Sequence, residues 1–441
     1  WGGLTTIFRI FYGLTCCGDH DRVHSALDFH CAFDSDGRLC NLAGSDSERP
    51  QASQYESYGS TADMLWHHYL WTGDLALLRE WAPVLDALLA YEERALRDAD
   101  GLYIDHLGFW ASDSFEYEFG CAVGSTMVWR MYTVRGKIAE ALGEDPSPFF
   151  ARAEEVRQRL DAKLWNEEAG FYFDTVYTGG EAVPSTTAPD VYHPIEYGLV
   201  SGEKARRMLA HMLKRLTSED GLVRVDDWLP INWSHNVYSP METANAAVAA
   251  YLLDEKDSAY RMLKGTIKGA IYKALVPGAI CCHASSTGVT KNGTDFGDGV
   301  SLFLRCVTEG LFGIHMDVPH EALTIRPNFP DDWEKAELSL PDIPQLSYAR
   351  NADGICLRIE LARAACDARA DAGRPRYGRE RQRAGRCMQT GRRTHGGSTA
   401  QSLLAVRTDF NQRADTEYAV RAARRGAGRN AGHGRSGFIR P

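Results

Sequence analysis

The sequence predicts an all-α fold, a ring of helical hairpins, closed by a short β-rich appendage. Three observations carry this reading. Runs of apolar residues at spacings of three and four, joined by short links, fill the chain up to about Gly313. An acidic–glycine–apolar phrase recurs between them as DSDGRL, DADGLYID, EEAGFYFD and SEDGLVRVD. After Ile314, β-branched residues alternate or cluster between prolines.

The first helical run is Ser60–Trp71, followed after Gly73-Asp74 by Leu75–Leu96, where Leu78, Trp81, Leu85, Leu88 and Leu89 define one buried face. Further runs are Val123–Ala141, Pro148–Leu164, Gly202–Leu216, Pro240–Leu253, Ser258–Ala274 and Gly299–Gly310. Short links between such runs argue for antiparallel pairs. The recurring glycines, Gly37, Gly101, Gly170 and Gly221, read as left-handed residues closing the last turn of a helix before a short extended segment. A hairpin step that ends repeatedly in the same turn suggests a closed ring rather than a simple bundle. The domains expected are a helical toroid over residues 1–315, lacking an early helix, a truncated β-rich appendage over 316–361, and a tail over 362–441.

Composition narrows the class. The 441 residues are 44% hydrophobic and 24% charged, enough to bury one large core or two moderate ones. These proportions exclude disorder, collagen and a small disulfide scaffold. No uncharged apolar run reaches 18 residues, so no membrane partner is expected. The net charge of −10 hides two unlike parts. From Ala362 onward there are 18 Arg, no Lys and 6 acidic residues, a net +12, which leaves −22 on the body. An acidic body repels phosphate backbones, so no nucleic acid is expected. The arginine-rich tail reads as a stretch that does not fold, of the kind an out-of-frame GC-rich gene would encode; a basic nucleic-acid arm is its alternative. The 11 cysteines form no CxxC and include the adjacent pairs Cys16-Cys17 and Cys281-Cys282, so most are expected to be small core residues. The chain opens at Trp1 without a charged-then-apolar leader, which reads as an internal fragment. A secreted or periplasmic location is expected, with any export signal upstream.

Between about Tyr55 and Pro344 the order of motifs resembles the six-hairpin (α/α)6 glycosidase superfamily. Its pieces here are YESYGSTADMLWHHYLWTGD, GFWASDSFEYEFG, VYHPIEYGL, PINWSHNVYSPMETANAAVAAYL, STGVTKNGTDFGDGVSLFLR and EGLFGI…LTIRPNFPDDW. The resemblance implies an (α/α)6 toroid, glycoside hydrolase activity, a carbohydrate substrate and no cofactor or metal. Trehalase- and α-glucosidase-like relatives carry their general acid on a Glu-Ser-Gly-x-Asp-x-Ser segment. Gly108–Ser114 is similar around Trp110 and the Asp-Ser pair but lacks the leading Glu and middle Gly, which puts forward only Asp113. Their base lies before a Phe-Gly-Trp-Ser helix start, which Phe296–Gly299 resembles; without the expected Glu, Asp295 or Asp298 is the substitute. α-L-Rhamnosidase-like relatives cluster acids after an early hairpin, as Asp113, Glu116 and Glu118 do here.

The chemistry fits these residues. An inverting glycosidase needs a protonated carboxyl facing an ionised one, roughly 6.5–9.5 Å apart. Asp113 lies among Phe109, Trp110, Phe115, Tyr117 and Phe119, a wall that favours its proton, whereas Asp295 and Asp298 lie in a Gly-rich polar loop. Glu242, a further candidate for catalysis or for hydroxyl binding, opens an apolar helix directly after Trp233, His235, Asn236 and Tyr238, a group suited to a sugar subsite. Tyr55, Glu56, Trp110, Glu116, Glu118 and His193, the last read as a loop residue before Pro194, are further subsite candidates. Each also has an ordinary account: Asp113, Ser114 and Asp298 as helix caps, Glu242 as a first-turn acid, the aromatics as core. A zinc set like that of β-L-arabinofuranosidases is under-supplied, because Ala244 stands where a ligating Cys would accompany Glu242, Cys281, Cys282 and His283. Two alternatives stay open: a polysaccharide lyase on the same toroid, using a Tyr or His base, and a carbohydrate-binding relative without catalysis.

Overall fold

The computed structural model describes residues 4–30, 32–33, 39–41, 51–52, 56–104, 119–176, 180–226, 237–273, 280–281, 283–292, 297–341, 343–351, 354–360, 404–406 and 418–421. Among them are eleven α-helices: α1 (Leu4–Cys16), α2 (His20–His30), α3 (Glu56–Thr72), α4 (Leu75–Tyr91), α5 (Ala122–Leu142), α6 (Ser147–Lys163), α7 (Ala188–Glu196), α8 (Gly202–Arg215), α9 (Pro240–Leu252), α10 (Lys256–Ile267) and α11 (Gly297–Arg305). Two compact units divide between Asp331 and Asp332.

In the first unit the odd-numbered helices form a closed ring. Each of α1, α3, α5, α7, α9 and α11 packs on the next, and α11 returns to α1. The even-numbered helices pack outside, α6 on α5 and α10 on α9 most extensively. Sequence composition explains this sorting. A helix enclosed by neighbours must be apolar all round, and every residue of Pro240–Tyr251 in α9 is buried. An outer helix needs only a stripe, and α8 buries Ala205, Met208, Leu209 and Met212 while its charges face out. The face predicted for α4 is also found, with Leu78, Trp81, Leu85, Leu88 and Leu89 all buried. Each of its leucines contributes roughly 2 kcal/mol on burial. The architecture is the expected (α/α)6 toroid.

Three helices, α1, α2 and α7, escape the periodicity reading. Proline explains the last: Pro189 and Pro194 lie inside α7, and a residue before proline is biased towards extended backbone. A capping box between Thr187 and Asp190 starts this helix nonetheless. Several helices also end earlier than predicted, passing into wide π turns at Glu92–Leu96, Lys268–Tyr272 and Cys306–Leu311.

Ring closure between α1 and α11 uses a side chain. The Ser301 hydroxyl accepts from the Gly13 N–H at 2.6 Å and donates to the Arg9 carbonyl at 2.8 Å, so it bridges the donor and acceptor of one rung of the α1 ladder. A Cβ on Gly13 would meet Ser301 Oγ at 3.0 Å, which is why the closest approach falls at a glycine.

The recurring glycines are left-handed, as expected, at Gly101, Gly170 and Gly221 (φ 80° to 86°); Gly37 lies outside the described residues. They do not close helices. Each turns a small antiparallel hairpin just after one, Arg97 bridging Tyr103, Trp165–Asn166 pairing Phe171–Tyr172, and Thr217 bridging Val223. Asp98 shows why an acid precedes the glycine, its Oδ1 accepting from the backbone of Asp100 and Leu102. Left-handed residues that do close helices are Gly73, after α3, and Gly143, after α5.

A hairpin of Ile314–Asp317 and Ala322–Ile325 ends the first unit, and Tyr418–Arg421 pairs beside it. The second unit is an antiparallel sheet of Lys335–Leu340, Ile343–Asn351, Gly354–Glu360 and Leu404–Val406. Among its described residues Ala336, Leu346, Tyr348, Leu357 and Ile359 are buried, at alternate positions along the two longer strands, the period-2 pattern read from the sequence. Of the cysteines described with their surroundings, Cys16, Cys121, Cys281 and Cys306 are buried and Cys17 and Cys356 exposed.

Two glycine positions separate backbone freedom from space. A Cβ on Gly221 would lie 2.4 Å from the Arg261 carbonyl oxygen, whereas one on Gly143 meets nothing within 4 Å. Gly221→Ala is expected to cost at least about 2 kcal/mol, and Gly143→Asn about 0.5 kcal/mol or less, read as thermal unfolding midpoints.

Candidate active site

Because inner and outer helices alternate antiparallel, all six inner helices run the same way, and their N-termini share one rim. A hydrogen-bonded collar joins four of the segments that lead into it. Cys121 bridges Thr175, the Ala122 N–H donates to the Asp174 carbonyl at 2.8 Å, and the Ala188 N–H donates to the Val225 carbonyl at 2.7 Å. Val223–Arg224 pairs with Tyr238–Ser239, which pairs through Tyr238 with Ala284. The starts of α5, α7 and α9 and the segment before α11 are thereby fixed to one another.

Most sequence candidates belong to the segments entering this rim. Tyr55 precedes α3, and Glu56 is its first residue. Trp110, Asp113, Glu116 and Glu118 precede α5; Trp233, His235 and Asn236 precede α9; Asp295 precedes α11. Of these only the backbone of Glu56 lies within the described residues. Asp298 is the second residue of α11. Two candidates are described in full. His193 is not a loop residue: it lies in α7, buried, one turn before the helix ends. Glu242 stands in the first turn of α9, where the Ser239 hydroxyl caps its N–H, and is fully buried.

Below the rim, the inner helices turn charged groups into the barrel. Glu242 Oε1 accepts from Arg9 Nη1 at 2.7 Å, and its Oε2 accepts from the Tyr192 hydroxyl. Asp63 accepts from the Tyr12 hydroxyl and from Arg130, Nε at 3.0 Å. Arg305 donates to Glu309 at 3.0 Å and to Glu196 at 3.3 Å, with its guanidinium 4.2 Å from the centre of the Tyr12 ring. His67 Nε2 meets the other Glu309 oxygen at 2.5 Å. His193 stacks on Tyr197 with ring centres 5.1 Å apart, and its Nδ1 is 3.9 Å from Glu196.

Asp63, His193, Glu196, Asn245, Tyr12 and Arg305 line a cavity of about 10 Å³, room for a single water molecule. Both His193 nitrogens, Glu196 Oε1 and the Asn245 carbonyl oxygen lack a protein hydrogen-bond partner, and a water there serves one of the two diverging ring nitrogens together with the oxygens. Burial lifts the Glu196 carboxyl to about 7 despite Arg305. Burial, seconded by Arg9, holds His193 well below the usual imidazole range, so it is neutral. Burial also works to raise Asp63 and Glu309, but Arg130 and Arg305 outweigh it at Asp63, and His67 and Arg305 at Glu309, leaving both below the carboxylate norm. This cluster is the floor of the barrel.

Sequence reasoning missed Arg9, Asp63, Arg130, Glu196 and Arg305. The signal was available at Arg9, the lone charge of an otherwise uncharged α1, and at the others as charges flanked by apolar residues of inner helices, where a buried charge must be paired.

Two outcomes test the floor. Glu242→Ala strips acceptors from Arg9 and Tyr192 and is expected to cost about 3 kcal/mol in urea unfolding, most of it recovered by pairing Arg9→Met with Glu242→Leu. Glu196 holds its proton more tightly folded than unfolded, so its stabilisation is complete below about pH 4.5 and is lost as pH rises through about 7. Glu196→Gln, which cannot ionise, is therefore expected to gain stability relative to the parent between pH 5 and 8, on the order of 3 kcal/mol. Thermal unfolding at the two pH values reads it.

The family model of the mannosylglycerate hydrolase MGH1-like glycoside hydrolase domain matches residues 126–222, from α5 to the third described hairpin. No curated protein matches by sequence. Among solved structures, the GH78 family rhamnosidase of Bacillus sp. GL1 superposes with a TM-score of 0.59 at 16% identity, over 82% of this chain and 37% of its own. The GH63 mannosylglycerate hydrolase from Thermus thermophilus in complex with glucose gives 0.54 at 18%, over 68% and 91%. A sialidase gives 0.58 at 15%, over 68% and 31%. This chain thus spans about a third of the rhamnosidase and sialidase chains and nearly all of the mannosylglycerate hydrolase. The chain has the fold of the six-hairpin (α/α)6 glycosidase superfamily, and residues 126–222 carry the sequence pattern of a glycoside hydrolase domain.

Proposed function

We propose that the chain is a glycoside hydrolase that cleaves an oligo- or polysaccharide bond with inversion, Asp113 serving as acid and Asp295 or Asp298 as base. One observation carries this reading. In the ring order α1, α3, α5, α7, α9, α11, helices α5 and α11 stand diametrically opposite. Asp113 belongs to the segment entering α5, and Asp295 and Asp298 to the segment and first turn entering α11. An inverting reaction asks for this opposition, since one carboxyl protonates the leaving oxygen while the other activates water from the far side of the sugar. The glycoside hydrolase pattern over residues 126–222 supports the same class.

The segments entering α3 and α9, with Tyr55, Glu56, Trp233, His235 and Asn236, flank that diameter and suit sugar binding through stacking and hydroxyl contacts. Glu242, enclosed between Arg9 and Tyr192, acts in this reading by fixing the start of α9. A lyase would need a cationic group for a uronate. The floor arginines speak against it, because Arg9, Arg130 and Arg305 are each paired with an interior carboxylate.

Mannosylglycerate, rhamnosides and a panel of plant and bacterial oligosaccharides are the substrates to screen, with release of reducing sugar as the readout. Asp113→Asn is expected to lower kcat by roughly 10²- to 10⁴-fold at an unchanged melting temperature, because an amide cannot donate the proton. One of Asp295→Asn and Asp298→Asn should match it, and proton NMR should show the first product with inverted anomeric configuration. Full activity in Asp113→Asn would remove the acid assignment.

A further inference from the structure

On the rim opposite the candidate active site, the hairpin formed by α1 and α2 meets the junction of α3 and α4. Here the helices bring together side chains that the glycosidase reading does not use. His24 projects from α2, His68 from the last turns of α3, and Asp74 caps α4. One donor atom from each of the three lies within 4.8 Å of the other two. We propose that His24, His68 and Asp74 form a binding site for one divalent transition-metal ion, Zn²⁺ being the ion that their chemistry fits best.

Two imidazoles and a carboxylate are the donor types zinc takes in tetrahedral sites with an open fourth position, filled by water. At Zn–N and Zn–O bonds of about 2.0–2.2 Å, ligand atoms in a tetrahedron stand about 3.4 Å apart. His24 Nε2 and Asp74 Oδ2 are already 3.2 Å apart, so the ion would take the place of the proton they share. Only side-chain rotation within the 4.8 Å envelope is needed to bring in His68.

Its surroundings pre-orient the group. Asp74 uses its other oxygen, Oδ1, to accept from the N–H groups of Ala76 and Leu77 at 3.1 Å, which fixes the carboxylate and leaves Oδ2 turned to His24. His68 is 1% exposed, and its Nδ1 is 3.4 Å from the Thr15 hydroxyl, a contact that orients the ring. The His24 side chain is 40% exposed, which gives an ion a route in. His20, one turn before His24 on α2, packs its ring 5.1 Å from that of His68 and walls the site. Aromatic packing accounts for the three rings standing edge to face; it does not account for a carboxylate held among them with one oxygen turned inward.

An ion here would pin α2 to the α3–α4 junction, far from the acids of the proposed reaction, so its effect is read without any glycan. The test uses the full chain stripped with a chelator, dialysed, and titrated with Zn²⁺ by calorimetry, with Co²⁺ absorption as a second readout. Binding of one equivalent is expected, with a rise in melting temperature, and both His24→Ala and Asp74→Asn should weaken it at least about tenfold and abolish that rise. These two variants are chosen to keep the fold, since His24 is partly exposed and Asn caps helices as well as Asp. Absence of one-equivalent binding, or binding that either variant leaves unchanged, would overturn the site.

Discussion

A charge taken out of water must find an opposite charge nearby, and in this barrel the partner sits on a different inner helix. Arg9 of α1 reaches Glu242 of α9, Arg305 of α11 reaches Glu196 of α7, Arg130 of α5 reaches Asp63 of α3, and His67 of α3 reaches Glu309 beyond α11. Several of these pairs are chords that skip a helix rather than link neighbours. Apolar packing between adjacent helices tolerates sliding and rotation. Chords across the lumen do not, because slipping one helix by a turn would strand buried charges at several kcal/mol apiece. The floor thus sets the register of the ring, and the ring sets where the rim segments begin.

That separation of labour explains the contents of the two levels. The floor is closed and balanced, with room for one water between a neutral His193 and a Glu196 that titrates near neutrality. The rim receives the connections of varied length and composition, and it is braced by a collar of short strands rather than by side-chain charge. A fold built this way can exchange its substrate by changing rim segments without disturbing the register below, in keeping with one architecture carrying many sugar specificities.

Much of the fold is legible in the sequence because outer helices are amphipathic. The α4 and α8 stripes announce themselves, and the boundaries of α6 and α8 fall within a residue or two of those predicted. Inner helices are harder, since α1 and α7 lack a polar face against which to see a period, and α7 carries two prolines besides. The glycine repeat was visible, but one dimension does not distinguish a left-handed residue that ends a helix from one that turns a hairpin just after it. For the proposed site, Asp113, Asp295 and Asp298 stand out in the sequence as acids among aromatics or glycines. The floor was read past, although Arg130 within AVGSTMVWRMY and Arg305 within GDGVSLFLR are charges with no exposed face to occupy.

The Ser301 hydroxyl that enters the backbone of α1 also has a meaning in time. Gly13 and Ser301 are 288 residues apart, so during synthesis at about 5–20 residues per second α1 must wait roughly 15–60 s for the helix that completes it. The first inner helix therefore leaves the ribosome with the flank that meets α11 uncovered until the last inner helix is made.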